Sequence, residues 1–228
     1  MNAKKKDFIK VEYTGRIKTS KKIFDLTDET LAKKENIHNP NLSYGPRIVC
    51  IGEGHLLKGL DDKLEGKEIG KSYDIELDPE SAFGVKNPKL IKILSMKQFK
   101  KHNLNPSPGL RINVDNHIGV IRSVSAGRVI VDFNHPLAGQ AITYEIKLIE
   151  SVNNTEEQVK SLVNLNLFLN EGDYDLKLVD GKLEILSKLE IPEPIVKNFE
   201  KNIKELISKI SAVSVGVRPK KEAEKTEK

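Results

Sequence analysis

Two segments far apart in the chain carry its strictest pattern. Ile9, Val11 and Tyr13 alternate with Lys10 and Glu12, and Ile142, Tyr144, Ile146 and Leu148 alternate with Thr143, Glu145 and Lys147. A two-residue period puts one set of side chains on a single face, the mark of a half-buried strand. Shorter strand candidates follow the first segment: Ile23-Phe24-Asp25, residues 48–51, and residues 71–77, where Tyr73, Ile75 and Leu77 alternate. Between Gly84 and Gly139 the rhythm changes to a unit with three strand candidates, residues 110–114, 118–124 and 128–133. Short connections suited to hairpins join them, Asp115-Asn116-His117 and Ser125-Ala126-Gly127. The first pattern resumes at Ile142, so an insertion into a β-rich unit is the simplest account.

The remaining segments are read from spacing and turn chemistry. Leu57, Leu60 and Leu64 recur three and four residues apart before Gly66, which predicts a short amphipathic helix with a glycine stop. Residues 26–46 are polar and rich in Asn and Pro, and read as an excursion between strands. From Ser151 the pattern changes again. Thr155-Glu156-Glu157-Gln158 is a capping-box signature ahead of Val159, Leu162 and Val163. The end of that helix is open, because Val163, Leu165, Leu167 and Leu169 also alternate as a strand does. Asp180-Gly181 between two alternating runs is the strongest hairpin signal in the chain. Pro192 and Pro194 precede a helix carrying Ile195, Phe199, Ile203, Leu206, Ile207 and Ile210, and residues 212–217 form a last strand candidate.

A chain of 228 residues with 38% hydrophobic and 31% charged residues exceeds one average domain and contains enough apolar material for at least one core. No apolar run approaches the ~20 residues that span a bilayer, and the lysine-bearing N-terminus has no apolar stretch behind it, so a cytoplasmic location and no membrane partner are expected. The single cysteine, Cys50, sits in an apolar run and reads as a buried small hydrophobe. The five histidines are scattered without paired spacing, which argues against a metal site, and no cofactor is expected. The net charge of +5 comes largely from Lys4, Lys5, Lys6 and the segment from Arg218. Elsewhere lysines are dispersed among acids, which argues against nucleic acid as a partner.

The ordered set Val11-Glu12-Tyr13-Thr14-Gly15, Ile23-Phe24-Asp25, Gly59-Leu60, Ala82-Phe83-Gly84 and Tyr144 resembles the FKBP family of prolyl isomerases. Asn134-His135-Pro136-Leu137-Ala138-Gly139-Gln140 is similar to the NHxLAG run of the SlyD branch, whose members carry an insert-in-flap domain. With a third unit appended, the chain looks like a long-type archaeal FKBP. The resemblance spans residues 7–150 and implies an α+β fold. That fold is an FKBP-like antiparallel β-sheet wrapped on a short helix, with an inserted β-rich domain; the hairpin and helix spacing after Ser151 adds a small C-terminal α+β domain. The implied division is 1–84 with 139–150 for the isomerase domain and 85–138 for the inserted flap domain; beyond the resemblance, spacing and composition mark 151–217 as a C-terminal domain and 218–228 as a disordered basic tail.

The resemblance also implies an enzyme, a peptidyl-prolyl cis-trans isomerase. Rotation about an X-Pro bond faces a barrier of about 18–20 kcal/mol set by amide resonance, and no covalent bond need form or break. A water-poor cup with a few polar groups suits that reaction. Phe24, Leu56, Leu57, Leu60, Phe83 and Tyr144 are expected to line the cup, with the Tyr13 hydroxyl and Asp25 carboxylate as its polar edge and Leu137 and Ala138 closing it. Leu57 stands where the family has an isoleucine whose backbone N–H binds the peptide carbonyl. Leu60 replaces a pocket-floor tryptophan of human-type members, and Phe83 replaces a tyrosine. SlyD's His-rich tail has no counterpart in residues 218–228.

In the inserted unit, Ile91, Ile93, Leu94, Met96 and Phe99 are read as a surface that binds unfolded chains, Met and Phe being adaptable to varied apolar partners. Each of these residues taken singly also reads as core. The expected partners are therefore unfolded or proline-containing polypeptides, with a homodimer through the C-terminal unit and the ribosome as further candidates. The competing reading is a non-catalytic holdase or ribosome-associated chaperone with a vestigial pocket.

Overall fold

The computed structural model describes residues 1–218. The chain runs through strand β1 (Phe8–Ile17), β2 (Ile23–Leu26), helix α1 (Glu29–Lys34), β3 (Arg47–Cys50), α2 (Lys58–Leu64) and β4 (Ser72–Leu77). It continues through β5 (Ile91–Ser95), α3 (Met96–Lys101), β6 (Arg111–Val114), β7 (His117–Ser125), β8 (Arg128–Asp132) and β9 (Ile142–Ser151). Last come α4 (Thr155–Leu167), β10 (Tyr174–Val179), β11 (Lys182–Ser187), α5 (Glu193–Leu206) and β12 (Ala212–Val217). The fold is mostly antiparallel sheet with few helices.

The two alternating segments pair with each other. β1 and β9 run antiparallel from Ile9↔Ser151 to Ile17↔Ile142, and β4 adds to the far edge of β9 from Ser72↔Lys147 to Leu77↔Ile142. On the other edge of β1, β3 pairs with Phe8 to Val11 and β2 with Thr14 to Arg16, so these two short strands lie end to end. Ile9, Val11, Tyr13, Ile75, Leu77, Ile142, Tyr144, Ile146 and Leu148 are buried on one face, against Leu60 and Leu64 of α2. Residues 26–46, read from sequence as a plain excursion, hold the end of β2 at Leu26 and then α1. Asp28 caps that helix by accepting from the Leu31 N–H, and Ala32 is buried. Helix spacing was hidden because only one apolar residue of this short turn faces the protein.

Because Leu77 and Ile142 are paired neighbours, residues 78–141 are topologically one long hairpin loop, which costs only loop-closure entropy to extend. Within it stands a four-stranded sheet in the order β5-β8-β7-β6 with α3 packed beside it. Sequence alternation marked the last three strands only. β5 is an edge strand with Ile91, Lys92 and Ile93 all exposed, so it has no buried alternation to reveal it. Phe99, expected as part of a capture surface, is only 5% exposed and belongs to this unit's core, with Leu94 and Met96 packed against it. The base of the unit is latched. Asn134 Oδ1 accepts from Asn87 N–H (2.8 Å), its Nδ2 donates to Asn87 O (3.0 Å), and Gly139 N–H donates to Gly84 O (2.8 Å).

After β9, α4 runs through to Leu167, resolving the open end in favour of helix, and Phe168 stops it in the left-handed region at φ 57°. β10 and β11 form the hairpin at Asp180-Gly181, and β12 adds parallel to β11. The core under this sheet is not its own alone. Phe8 of β1, Ile48 and Cys50 of β3, and Val152 just past β9 join Val159, Leu162, Phe199 and Ile203 in one apolar cluster. Burial pushes the Cys50 thiol up to about 12, leaving it an unreactive packing group. Arg218, expected at the start of a disordered tail, is docked: its Nε lies 2.6 Å from Asp175 Oδ2 and its N–H donates to Ser187 O. The rest of that expected tail lies outside the described residues.

Phe8 therefore ties the first sheet to the C-terminal one. Phe8→Ala is expected to cost about 3–5 kcal/mol, measured by chemical denaturation, and to lower the stability of both regions together rather than releasing the C-terminal unit intact.

Candidate functional site

The site begins with a residue that has no side chain. In the pairing of β1 with its neighbours, Gly15 lies opposite Asp25 on one side and Tyr144 on the other. A Cβ at Gly15 would stand 2.8 Å from Phe24 Cζ and 2.9 Å from Tyr144 Cε1. With hydrogen there instead, the Tyr144 ring lies across β1 and its hydroxyl donates to Asp25 Oδ2 at 3.3 Å. The β1–β2 register shifts between Gly15 and Arg16, so Phe24 is the extra residue of a bulge. The bulge lets Phe24 share a face with Asp25, against the usual alternation.

Four rings meet edge to face in three pairs around this point. The centroid separations are 5.6 Å for Phe24–Tyr144, 5.6 Å for Phe24–Phe83 and 5.8 Å for Tyr13–Tyr144, at 84°, 83° and 74°. Such pairs add about 0.5–1.5 kcal/mol each beyond area burial and fix ring orientation. Leu60 is fully buried at the floor, with Leu56 and Leu57 half-buried beside it. Phe83 arrives because the segment before it packs tightly on α2. Any Cβ at Gly59 would overlap the Ser81 carbonyl oxygen. The expected cup residues are thus brought together, half-open at Phe24, Phe83, Leu56 and Leu57.

Two expected roles change. The hydroxyl that bonds Asp25 belongs to Tyr144, whereas Tyr13 is a buried wall whose phenol burial pushes up to about 12. Ala138 is buried, so its side chain cannot close over a bound ring, while Leu137 remains half-exposed. Leu57 N–H has no acceptor among the described residues. His55, close in sequence, faces elsewhere: its Nδ1 accepts from Cys50 N–H at 3.0 Å, and burial lowers its pKa.

One residue at the rim escaped sequence reading. His135 stacks flat on Phe83, with centroids 4.6 Å apart and planes 7° apart, and its Nδ1 accepts from Leu137 N–H at 3.2 Å. It lies inside the quoted segment 134–140, but only the folded hinge brings it to the cup. Arg47 of β3 is a second. Its charge acts on both Asp25 and Tyr13, opposing the burial that raises each of them. Burial is the larger effect on Asp25, with Arg47 and then the Tyr144 hydroxyl pulling the carboxyl back down. No cluster of three or more His, Cys, Asp or Glu among the described residues is placed to hold a metal.

A family model described as FKBP-type peptidyl-prolyl cis-trans isomerase matches residues 1–100, and one described as FKBP26, IF domain matches residues 92–137. The short-type peptidyl-prolyl cis-trans isomerase of Methanocaldococcus jannaschii is 30% identical over 145 residues, covering 64% of this chain and 91% of that protein. The FKBP-type 16 kDa peptidyl-prolyl cis-trans isomerase of Escherichia coli is 34% identical over 110 residues, 46% of this chain and 73% of its own length. The SlyD isomerase of Pasteurella multocida is 30% identical over 112 residues, 47% of this chain and 56% of its own length. The chain belongs to the FKBP-type peptidyl-prolyl cis-trans isomerases. It is an enzyme of that activity, with a SlyD-like insert.

A carboxyl raised by folding binds its proton more tightly in the folded state than in the unfolded one. Its contribution to stability is complete below the unfolded value and is lost as pH climbs through the folded value. Asp25→Asn, which keeps an acceptor for Tyr144, is therefore expected to raise the thermal midpoint at pH 7, with the gain shrinking toward zero as pH falls below the ordinary value of 3.8. Gly15→Ala is expected to leave a folded protein whose isomerase activity falls about tenfold or more, since Phe24 and Tyr144 must both move; near-UV circular dichroism reports the displacement.

Proposed function

We propose that the cup of Phe24, Phe83 and Tyr144 over Leu56, Leu57 and Leu60 receives the proline ring of a client chain and holds its amide twisted. The single observation that carries this is the Tyr144–Asp25 bond, made across the bare backbone of Gly15 inside an aromatic wall. In the twisted amide the nitrogen lone pair leaves conjugation and the carbonyl loses part of its polarity. An apolar cup that strips water from that carbonyl favours the twisted form over the planar one. The free Leu57 N–H is a backbone donor for a neighbouring client carbonyl, a role that tolerates leucine in place of isoleucine. Asp25 and Tyr144 orient the peptide at the polar edge. No nucleophile takes part.

The inserted unit supports a second half of the reading, capture of unfolded chains. Of the fifteen large hydrophobic residues that are exposed among the described residues, seven lie in 85–138: Val85, Leu90, Ile91, Ile93, Leu104, Leu110 and Ile118. Its core has five buried members, too few to hide that inventory. Ile91 and Ile93, the latter 64% exposed, lie on the edge strand β5, whose open side offers backbone groups and apolar side chains to an extended chain. Chains held there revisit the cup at a high effective concentration.

Both halves are open to measurement. Asp25→Ala with Phe83→Ala is expected to slow isomerisation of a proline tetrapeptide and of a proline-limited refolding protein by about tenfold or more; an unchanged rate on both would falsify the pocket assignment. Replacing residues 88–132 with a short glycine linker is expected to reduce catalysis on the refolding protein about ten- to hundredfold while sparing the tetrapeptide, and equal losses on the two substrates sink the capture role.

A further inference from the structure

Phe83 is a half-buried wall of the cup with two aromatic contacts among the described residues. Phe24 meets it edge to face at 5.6 Å, and His135 lies flat against it at 4.6 Å. A half-exposed ring with one edge-to-face neighbour retains freedom to change rotamer. A second ring stacked on it, at the close end of the range for such pairs, removes much of that freedom.

His135 is itself exposed, yet it is fixed from several sides. Its Nδ1 accepts from Leu137 N–H at 3.2 Å, and its carbonyl oxygen accepts from Ala138 N–H at 2.9 Å. Pro136, which follows it, disfavours the helical region for its backbone. Asn134, which precedes it, is bonded to Asn87 through both side-chain polar atoms. Asn134 also donates to Asp132 Oδ1, from its N–H at 2.9 Å and from Nδ2 at 2.8 Å. Asp132 is only 4% exposed, and its Oδ2 accepts from Arg122 at 2.8 and 3.1 Å. A histidine that merely faces solvent requires no such frame.

The two legs of chain that leave the first sheet and return to it carry these residues. Bonds join the legs at successive levels: Phe133 N–H to Leu90 O at 3.0 Å, the Asn134–Asn87 pair, and Gly139 N–H to Gly84 O at 2.8 Å. The Phe83–His135 stack is a further link between the outgoing and the returning leg, and it is the one made by a side chain of the cup. His135 therefore ties a movable cup wall to a rigid neck.

We infer that His135 is a positioning residue for the isomerase reaction. Its ring holds Phe83 against Phe24, so the wall stays closed and keeps water from the client carbonyl. The neck of the insert holds His135 in place. It acts through Phe83 and not on the amide, so the inference rests on the cup assignment above.

The test uses the full chain and a proline tetrapeptide, with the melting midpoint measured beside kcat/KM. His135→Ala removes both ring and acceptor. His135→Phe keeps a flat ring but loses the acceptor for Leu137 N–H. His135→Asn does the reverse, since its Oδ1 stands where Nδ1 was. His135→Ala and His135→Asn are expected to lower kcat/KM about three- to tenfold, the worth of one aromatic pair, and His135→Phe to stay within about twofold of the parent. Because His135 is exposed, the midpoints of all three should stay within about 2 °C of the parent. In a Phe83→Ala background His135→Ala should add no further loss, because the ring it holds is gone. The positioning role is overturned by an unchanged kcat/KM in His135→Ala, by a His135→Asn protein equal to the parent, or by a His135→Phe protein no better than His135→Ala. It is equally overturned by an undiminished loss in the Phe83→Ala background or by a midpoint that falls in step with activity. Turnover of the tetrapeptide at the parent rate by Phe83→Ala alone strikes the cup assignment itself.

Discussion

The antiparallel pairing of β1 with β9 is the contact on which the other features of this protein depend. It joins residues from opposite ends of the first 150 positions, so it forms only after a long loop has closed. Its register sets the face on which Tyr13, Tyr144, Ile146 and Leu148 are buried, and a slip of β9 by one residue would turn its three outward. It also aligns Asp25, Gly15 and Tyr144 in a row, from which the cup follows. Because β4 pairs on the far side of β9, the 78–141 segment leaves and returns at adjacent points, and an entire second sheet can stand there without disturbing the first.

The cup works by omission as much as by what is present. A hydrogen at Gly15 makes room for two rings, and a hydrogen at Gly59 lets the segment carrying Phe83 settle on α2. The bulge at Phe24 puts adjacent residues of β2 to one use. The polar content is small, a carboxylate and a phenol bonded to each other with Arg47 nearby, and this suits a reaction whose barrier is conformational. The hinge contributes through His135 on Phe83, so the wall of the cup and the base of the insert are one packed unit. The C-terminal sheet is likewise joined to the first by Phe8, Ile48 and Cys50.

Much of this was legible in residue order. The alternation of Ile9, Val11 and Tyr13 and of Ile142 to Leu148, the leucine spacing of α2, and the Asp180-Gly181 turn each reflect a local rule, because burial on one face or a demand for positive φ acts residue by residue. β5 and α1 were missed for the complementary reason. One is an edge strand with consecutive exposed residues, the other a single helical turn with one buried alanine, and neither needs an apolar period. Phe99, read both as capture surface and as core, falls to the core, because a small unit needs its large apolar side chains inside.

By itself the sequence determined most strands and their faces, and the family, since these rest on periodicity and on an ordered set of short motifs. Tertiary structure alone decided which hydroxyl meets Asp25, that His135 covers Phe83, that the charge of Arg47 acts on Asp25, and that the C-terminal core borrows Phe8 and Cys50 from the first sheet. Each of these joins side chains remote in sequence. Their distances depend on strand register and sheet packing, which no local pattern of residues encodes.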